Sequence, residues 1–113
     1  MKIQVHTDHN VTGSADLDEQ TEADVASALS RFESRLTRVE VHLGNESAGR
    51  STGDDFRCLM EARPAGMQPV VVTHDAATVP EALHGATDKL EALLTSTFER
   101  LEGQGSRETI RGH

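Results

Sequence analysis

Three stretches of this sequence alternate apolar with polar residues, and that period of two restricts the fold more than any other feature. A strand sends successive side chains to opposite faces, so each stretch describes a sheet with one dry face and one wet face. In Lys2 to Thr7, Ile3 and Val5 alternate with Gln4 and His6. From about Thr37, Val39, Val41 and Leu43 alternate with Glu40, His42 and Gly44. From Phe56 to Arg63, Phe56, Cys58, Met60 and Ala62 share one side, and Arg57, Leu59, Glu61 and Arg63 share the other. A fourth segment, Gln68 to His74, contains Val70-Val71-Val72 and follows the turn Pro64-Ala65-Gly66-Met67, so it is expected to hairpin with the third. Residues Gly44 to Asp55 hold three Gly, two Ser and one Thr and read as a mobile loop.

Two helical patterns interrupt the strands. From about Asp18 to Leu36, Val25, Leu29, Phe32 and Leu36 recur at spacings of four, three and four, which is one helix face. Asp18, Glu19, Glu22 and Asp24 crowd its first turns and Arg31 and Arg35 its end, as the helix dipole favours. The second helix opens on Thr78-Val79-Pro80-Glu81, a capping box with proline in the first turn. Leu83, Ala86, Leu90, Leu94, Phe98 and Leu101 form its stripe.

The expected class is α+β in the order β-α-β-β-β-α. The first β-α-β unit places two strands parallel and the rest is an antiparallel meander, which makes a four-stranded mixed sheet. Both helices pack on one face, and the other face stays open to solvent. With three Phe and no Trp or Tyr among 113 residues, the core must be mostly aliphatic. Residues 1–101 are expected to form one domain, and 102–113, apolar only at Ile110, a disordered C-terminal tail.

Most enzyme chemistry finds no support. The single cysteine, Cys58, lies on the apolar side of its strand and reads as core. Gly44, Gly49 and Gly53 match no phosphate-loop spacing. The acids Asp54-Asp55 and Asp16, Asp18, Glu19 are explained by a loop and a helix start. His6-Thr7-Asp8-His9 is rich in ligand types, and His6 and His42 can share the exposed sheet face. Even so, no helical His pair or Cys partner stands at metal-ligand spacing, and no metal site or other cofactor is expected. No apolar run reaches the ~20 residues of a membrane span, and the alternating start is no signal peptide, so a cytoplasmic location is expected.

The formal net charge of −8 opposes nucleic-acid binding, yet the cations are segregated. None lies between Lys2 and Arg31; then Arg31, Arg35 and Arg38 follow at spacings of four and three. Arg57 and Arg63 fall on the open sheet face. Such a patch can steer phosphate contacts on an acidic protein. The bland explanation, cations at a helix end and on solvated strand positions, accounts for the same pattern.

The segment Leu29-Ser30-Arg31-Phe32-Glu33-Ser34-Arg35-Leu36-Thr37-Arg38-Val39-Glu40-Val41-His42-Leu43 resembles the helix-to-strand junction of the ribosome hibernation promoting factor family, which includes the ribosome-associated inhibitor A or sigma-54 modulation proteins. Ala82-Leu83-His84-Gly85-Ala86-Thr87-Asp88-Lys89-Leu90 resembles that family's second helix. The resemblance covers roughly residues 1 to 101 and implies a short member without the C-terminal dimerisation domain. It also implies binding to the small ribosomal subunit and inhibition of translation in stressed or resting cells. On that reading the candidate rRNA contacts, expected to act as phosphate neutralisers, are Arg31, Arg35, Arg38, Arg57, Arg63 and Lys89. The second helix departs from the family, because Lys89 and Arg100 are its only bases before Leu101. The counterion-release contribution is then small, and ribosome binding is expected to be weakened by the acidic charge. The alternative is a diverged member that binds another protein, or a second copy of itself, through the open sheet face or an edge strand.

Overall fold

The computed structural model describes residues 1–7, 15–45 and 56–111. The elements are β1 (Lys2–Thr7), α1 (Ala15–Ala28), a 3-10 segment (Ser30–Arg35), β2 (Leu36–Asn45), β3 (Phe56–Pro64), β4 (Val70–Ala76) and α2 (Val79–Arg111). One sheet runs β1-β2-β3-β4. β1 is parallel to β2, and the other two pairings are antiparallel. This is the expected α+β order and sheet. The Gly- and Ser-rich loop is described only at Gly44 and Asn45, which are the last residues of β2; residues 46–55, with Asp54 and Asp55, lie outside the described residues, as do Asp8 and His9.

α2 lies over β3 and β4, and α1 over β1. Val39, Val41 and Leu43 of β2 and Cys58, Met60 and Ala62 of β3 are buried beneath this layer. Leu83, Ala86, Leu90, Leu94 and Phe98 meet them from α2. The Phe32 and Phe98 rings tilt together at 5.6 Å. Thr78 caps α2: its Oγ1 accepts from the Glu81 amide at 3.2 Å, as the Thr-Val-Pro-Glu signature requires. In the β3–β4 turn the Met67 amide donates to the Pro64 carbonyl, and Gly66 takes φ +73°, which suits a residue without Cβ. Gly85 is needed for space: a Cβ there would stand 2.1 Å from Cδ2 of His74 on β4.

Four expectations change. The first helix does not run from 18 to 36. It begins at Ala15, ends at Ala28 and gives way to the 3-10 segment, in which the Phe32 amide donates to the Leu29 carbonyl. A spacing of three suits a 3-10 turn as well as an α-helix, so Leu29, Phe32 and Leu36 stay buried through the change. β4 is shifted along the chain, because the turn takes Gln68 and Pro69 and the strand continues to Ala76. Leu101 is 42 % exposed and is not core. Finally, α2 is helical through Arg111, where irregular chain was expected beyond Leu101. Each further residue of a formed helix adds a hydrogen bond, so a helix once formed can propagate into a polar stretch. The helix of 33 residues, about 50 Å long, overhangs a sheet whose longest strand has 10 residues, about 33 Å.

Cys58 is fully buried, and burial pushes its thiol up to about 12. A thiolate is the reactive form, so alkylation by iodoacetamide at pH 8 is expected to be negligible in the native protein and rapid in urea. Equal labelling rates in the two conditions would contradict this core assignment. Among the described residues no helix is long and apolar enough to cross a membrane.

Candidate functional site on the open sheet face

The strand register writes the exposed face as four rows. The first is Lys2, Arg38 and Arg63. The second is Gln4, Glu40, Glu61 and Val71. The third is His6, His42, Leu59 and Thr73, and the fourth is Gly44, Arg57 and Asp75. A row of cations thus borders a row of acids, which borders a histidine pair. Exposure follows the alternation: Lys2, His6, His42, Arg57 and Arg63 are exposed, whereas the odd-numbered residues of β2 from Val39 to Leu43 are buried.

The three arginines of this face are tied to neighbouring acids. Arg38 Nη1 is 3.9 Å from Glu40 Oε2, and Arg63 Nε is 3.3 Å from Glu61 Oε1. Arg57 holds Asp75 with two bonds, Nε to Oδ1 at 2.8 Å and Nη2 to Oδ2 at 3.2 Å. The hydrogen bond from Arg57 keeps the Asp75 carboxyl below its ordinary range. A depressed folded-state pKa means that this pair contributes throughout neutral pH and is lost only as pH falls through the lowered value. Arg57 is therefore the most firmly occupied of the three arginines. The other two hold single, exposed contacts that water and phosphate can replace at little cost.

The remaining expected contacts lie elsewhere. Arg35 stacks over the Phe98 ring at 3.7 Å and pairs with Glu102 Oε1 at 3.2 Å. Its guanidinium covers the edge of the core, so it has a packing role whatever else it binds. Arg31 donates to Thr95 Oγ1 and lies 4.6 Å from the Phe32 ring centre. Lys89 donates to the Thr73 carbonyl at 2.9 Å, beside the β4 edge. The six residues thus do not form one patch. Arg38 and Arg63 are neighbours, with Arg35 just before β2 at the same end of the sheet. Arg57 is at the other end, and Arg31 and Lys89 are held against α2 and β4 respectively. Sequence reasoning missed Lys2, which completes the row with Arg38 and Arg63. The signal for it was the parallel pairing of the first two strands, which fixes Lys2 opposite Arg38 once the register is known.

A separate cleft of about 430 Å³ lies between α1 and the start of α2, lined by Leu17, Thr21, Val79 and Leu83 among others. It contains none of the expected cations.

The model of the sigma 54 modulation protein / S30EA ribosomal protein family matches residues 3–102. The chain belongs to this family. The two segments whose resemblance suggested it, Leu29–Leu43 and Ala82–Leu90, both lie within the match. Solved structures share the fold of this S30EA-family protein. The Thermus thermophilus Protein Y N-terminal domain superposes with a TM-score of 0.67 at 19 % identity, covering 86 % of this chain and 99 % of that one. A ribosomal subunit interface protein from Coxiella burnetii gives a TM-score of 0.66 at 16 % identity, covering 88 % of this chain and 99 % of that one. No curated protein matches the sequence.

Proposed function

We propose that this S30EA-family protein acts in the cytoplasm as a non-enzymatic, ribosome-associated factor that binds the small subunit and restrains translation in stressed or resting cells. Family membership over residues 3–102 carries this reading. The working unit is residues 1–101, with the segment beyond as an appendage. The contact face is the end of the open sheet that carries Lys2, Arg38 and Arg63, where phosphate replaces Glu40 and Glu61 as the partner of the arginines. Arg35, Arg31 and Lys89 add contacts outside this patch, where Glu102, Thr95 and the Thr73 carbonyl now hold them, and Arg57 contributes where rRNA can compete with Asp75.

The test is cosedimentation of the purified protein with ribosomal subunits across a salt series. Binding to small subunits that falls steeply with salt is expected, with a slope near ~0.7–0.9 per phosphate neutralised. A folded protein that fails to cosediment even at low salt would overturn the proposal. In that event the second reading, a protein partner or a homodimer on the same face, gains ground. Leu59 and Val71, the latter 50 % exposed, supply apolar area there. Light scattering separates the two readings, since a homodimer is concentration-dependent and indifferent to rRNA.

A further inference from the structure

The histidine row carries chemistry that ribosome binding does not use. β1 and β2 run parallel and in register, so His6 stands directly beside His42. Their rings stack with centroids 4.6 Å apart and planes 15° from parallel. Glu40, two residues before His42, reaches both: its Oε1 is 3.4 Å from His6 Nε2 and 3.9 Å from His42 Nε2. One ligand atom from each of the three lies within 4.8 Å of the others. Two ligands each about 2.0–2.1 Å from a tetrahedral ion are about 3.3 Å apart, so the Glu40–His6 separation already suits a shared metal. The Glu40–His42 separation must close by about half an ångström, and the two imidazoles, whose ligand atoms lie within 4.8 Å of each other, must tilt out of their stack so that both nitrogens turn toward the ion.

We propose that His6, Glu40 and His42 form a binding site for a borderline divalent transition ion such as Zn²⁺. Two imidazoles and one carboxylate select Zn²⁺, Co²⁺, Ni²⁺ or Cu²⁺ over Mg²⁺ or Ca²⁺, which require mostly oxygen ligands. All three ligands project from one sheet face, so they occupy one side of the ion and leave the solvent side open. A hollow of about 520 Å³ beside the pair, lined by Thr7, Gly44, Arg57 and Leu59, leaves room there for water or an exogenous ligand. The Arg38 guanidinium lies 3.9 Å from Oε2 of Glu40, on the far side of the carboxylate from the imidazoles that Oε1 faces. The site joins the edge strand to its neighbour and meets the proposed phosphate face at Glu40, the carboxylate that Arg38 also contacts.

The experiment is titration of the full chain with Zn²⁺ by calorimetry and with Co²⁺ by visible absorption. Circular dichroism checks that each variant keeps its fold. One ion per chain is expected at micromolar or better affinity, with ligand-field bands for Co²⁺. His42→Ala and Glu40→Gln, at exposed or half-exposed positions, should each weaken uptake at least about tenfold. His84→Ala should leave uptake unchanged, because His84 lies on α2 and faces Asp88 at 3.5 Å. No uptake at submillimolar Zn²⁺ overturns the site, as does uptake that persists in His42→Ala. A loss in His42→Ala that Glu40→Gln does not share also overturns it, because the carboxylate is then no ligand.

Discussion

Replacing Arg38 and Arg63 together by alanine is expected to weaken small-subunit binding about a hundredfold at 0.1 M salt and to lower the salt slope by about two. The two arginines stand opposite each other across β2 and β3, on the exposed face and next to Lys2. Each phosphate contact releases nearly one counterion, and at 0.1 M salt that release is worth about tenfold in affinity. Their present partners, Glu40 and Glu61, are held by single contacts of 3.9 and 3.3 Å and offer little resistance to exchange. Arg57→Ala is expected to have a smaller effect, because its guanidinium is already doubly bonded to Asp75. Cosedimentation of the single and double variants checks both statements. An unchanged affinity in the double variant, with the wild type still salt-sensitive, would remove this row from the interface. Arg35 is a poorer choice for such a test. Its stacking on Phe98 means that a substitution disturbs the core together with the charge.

Leu90→Ala should destabilise the protein by about 2–5 kcal/mol. Leu90 is fully buried, in the stripe between Ala86 and Leu94. With so few aromatic side chains to spread the load, the aliphatic contacts of α2 hold the layers together, and a loss of this size is a large part of an ordinary ~5–15 kcal/mol stability. Urea unfolding followed by circular dichroism should show a lower midpoint at unchanged slope. Leu101→Ala, on the same helix and from the same sequence pattern, is expected to change stability by no more than ~0.5 kcal/mol, since Leu101 is largely exposed. Similar losses in the two variants would show that the core extends further along α2 than Phe98.

Period and chemistry agreed best in the central strands and at the start of α2. The alternation of Val39, Val41 and Leu43 against Glu40 and His42 survives intact in β2, and the Thr78 cap sits where its signature put it. The pattern lost resolution where two geometries satisfy it equally. Leu29 and Phe32, three apart, fit an α-helix and a 3-10 turn alike, so the end of α1 was not legible. Nor can a stripe say how long its docking surface is: the spacing that buries Phe98 continues to Leu101, but the sheet does not. The site was harder still. Arg31, Arg35 and Arg38 are close in sequence, yet the chain turns from 3-10 segment to strand between the last two. Only Arg38 then lies on the sheet face, while Arg35 turns onto Phe98. Lys2 and Glu40 gained significance only from the register between strands that are far apart in the chain.

The parallel pairing of β1 with β2 also orders events in time. Among the described residues, β1 sits at the sheet edge with β2 as its only strand partner. Pairing Lys2 with Arg38 closes a loop of some three dozen residues, which must include a formed α1, whereas β3 and β4 meet across a turn of five. Loop closure is entropically costly before contacts reward it, so the meander forms the early scaffold and β1 docks late. By the same reasoning β1 has the fewest contacts to lose and is the first strand to open in native-state fluctuations. The chain's amino-terminal strand thus sets how often the sheet exposes the β2 edge, and with it the protein's exposure to proteases and to edge-to-edge pairing.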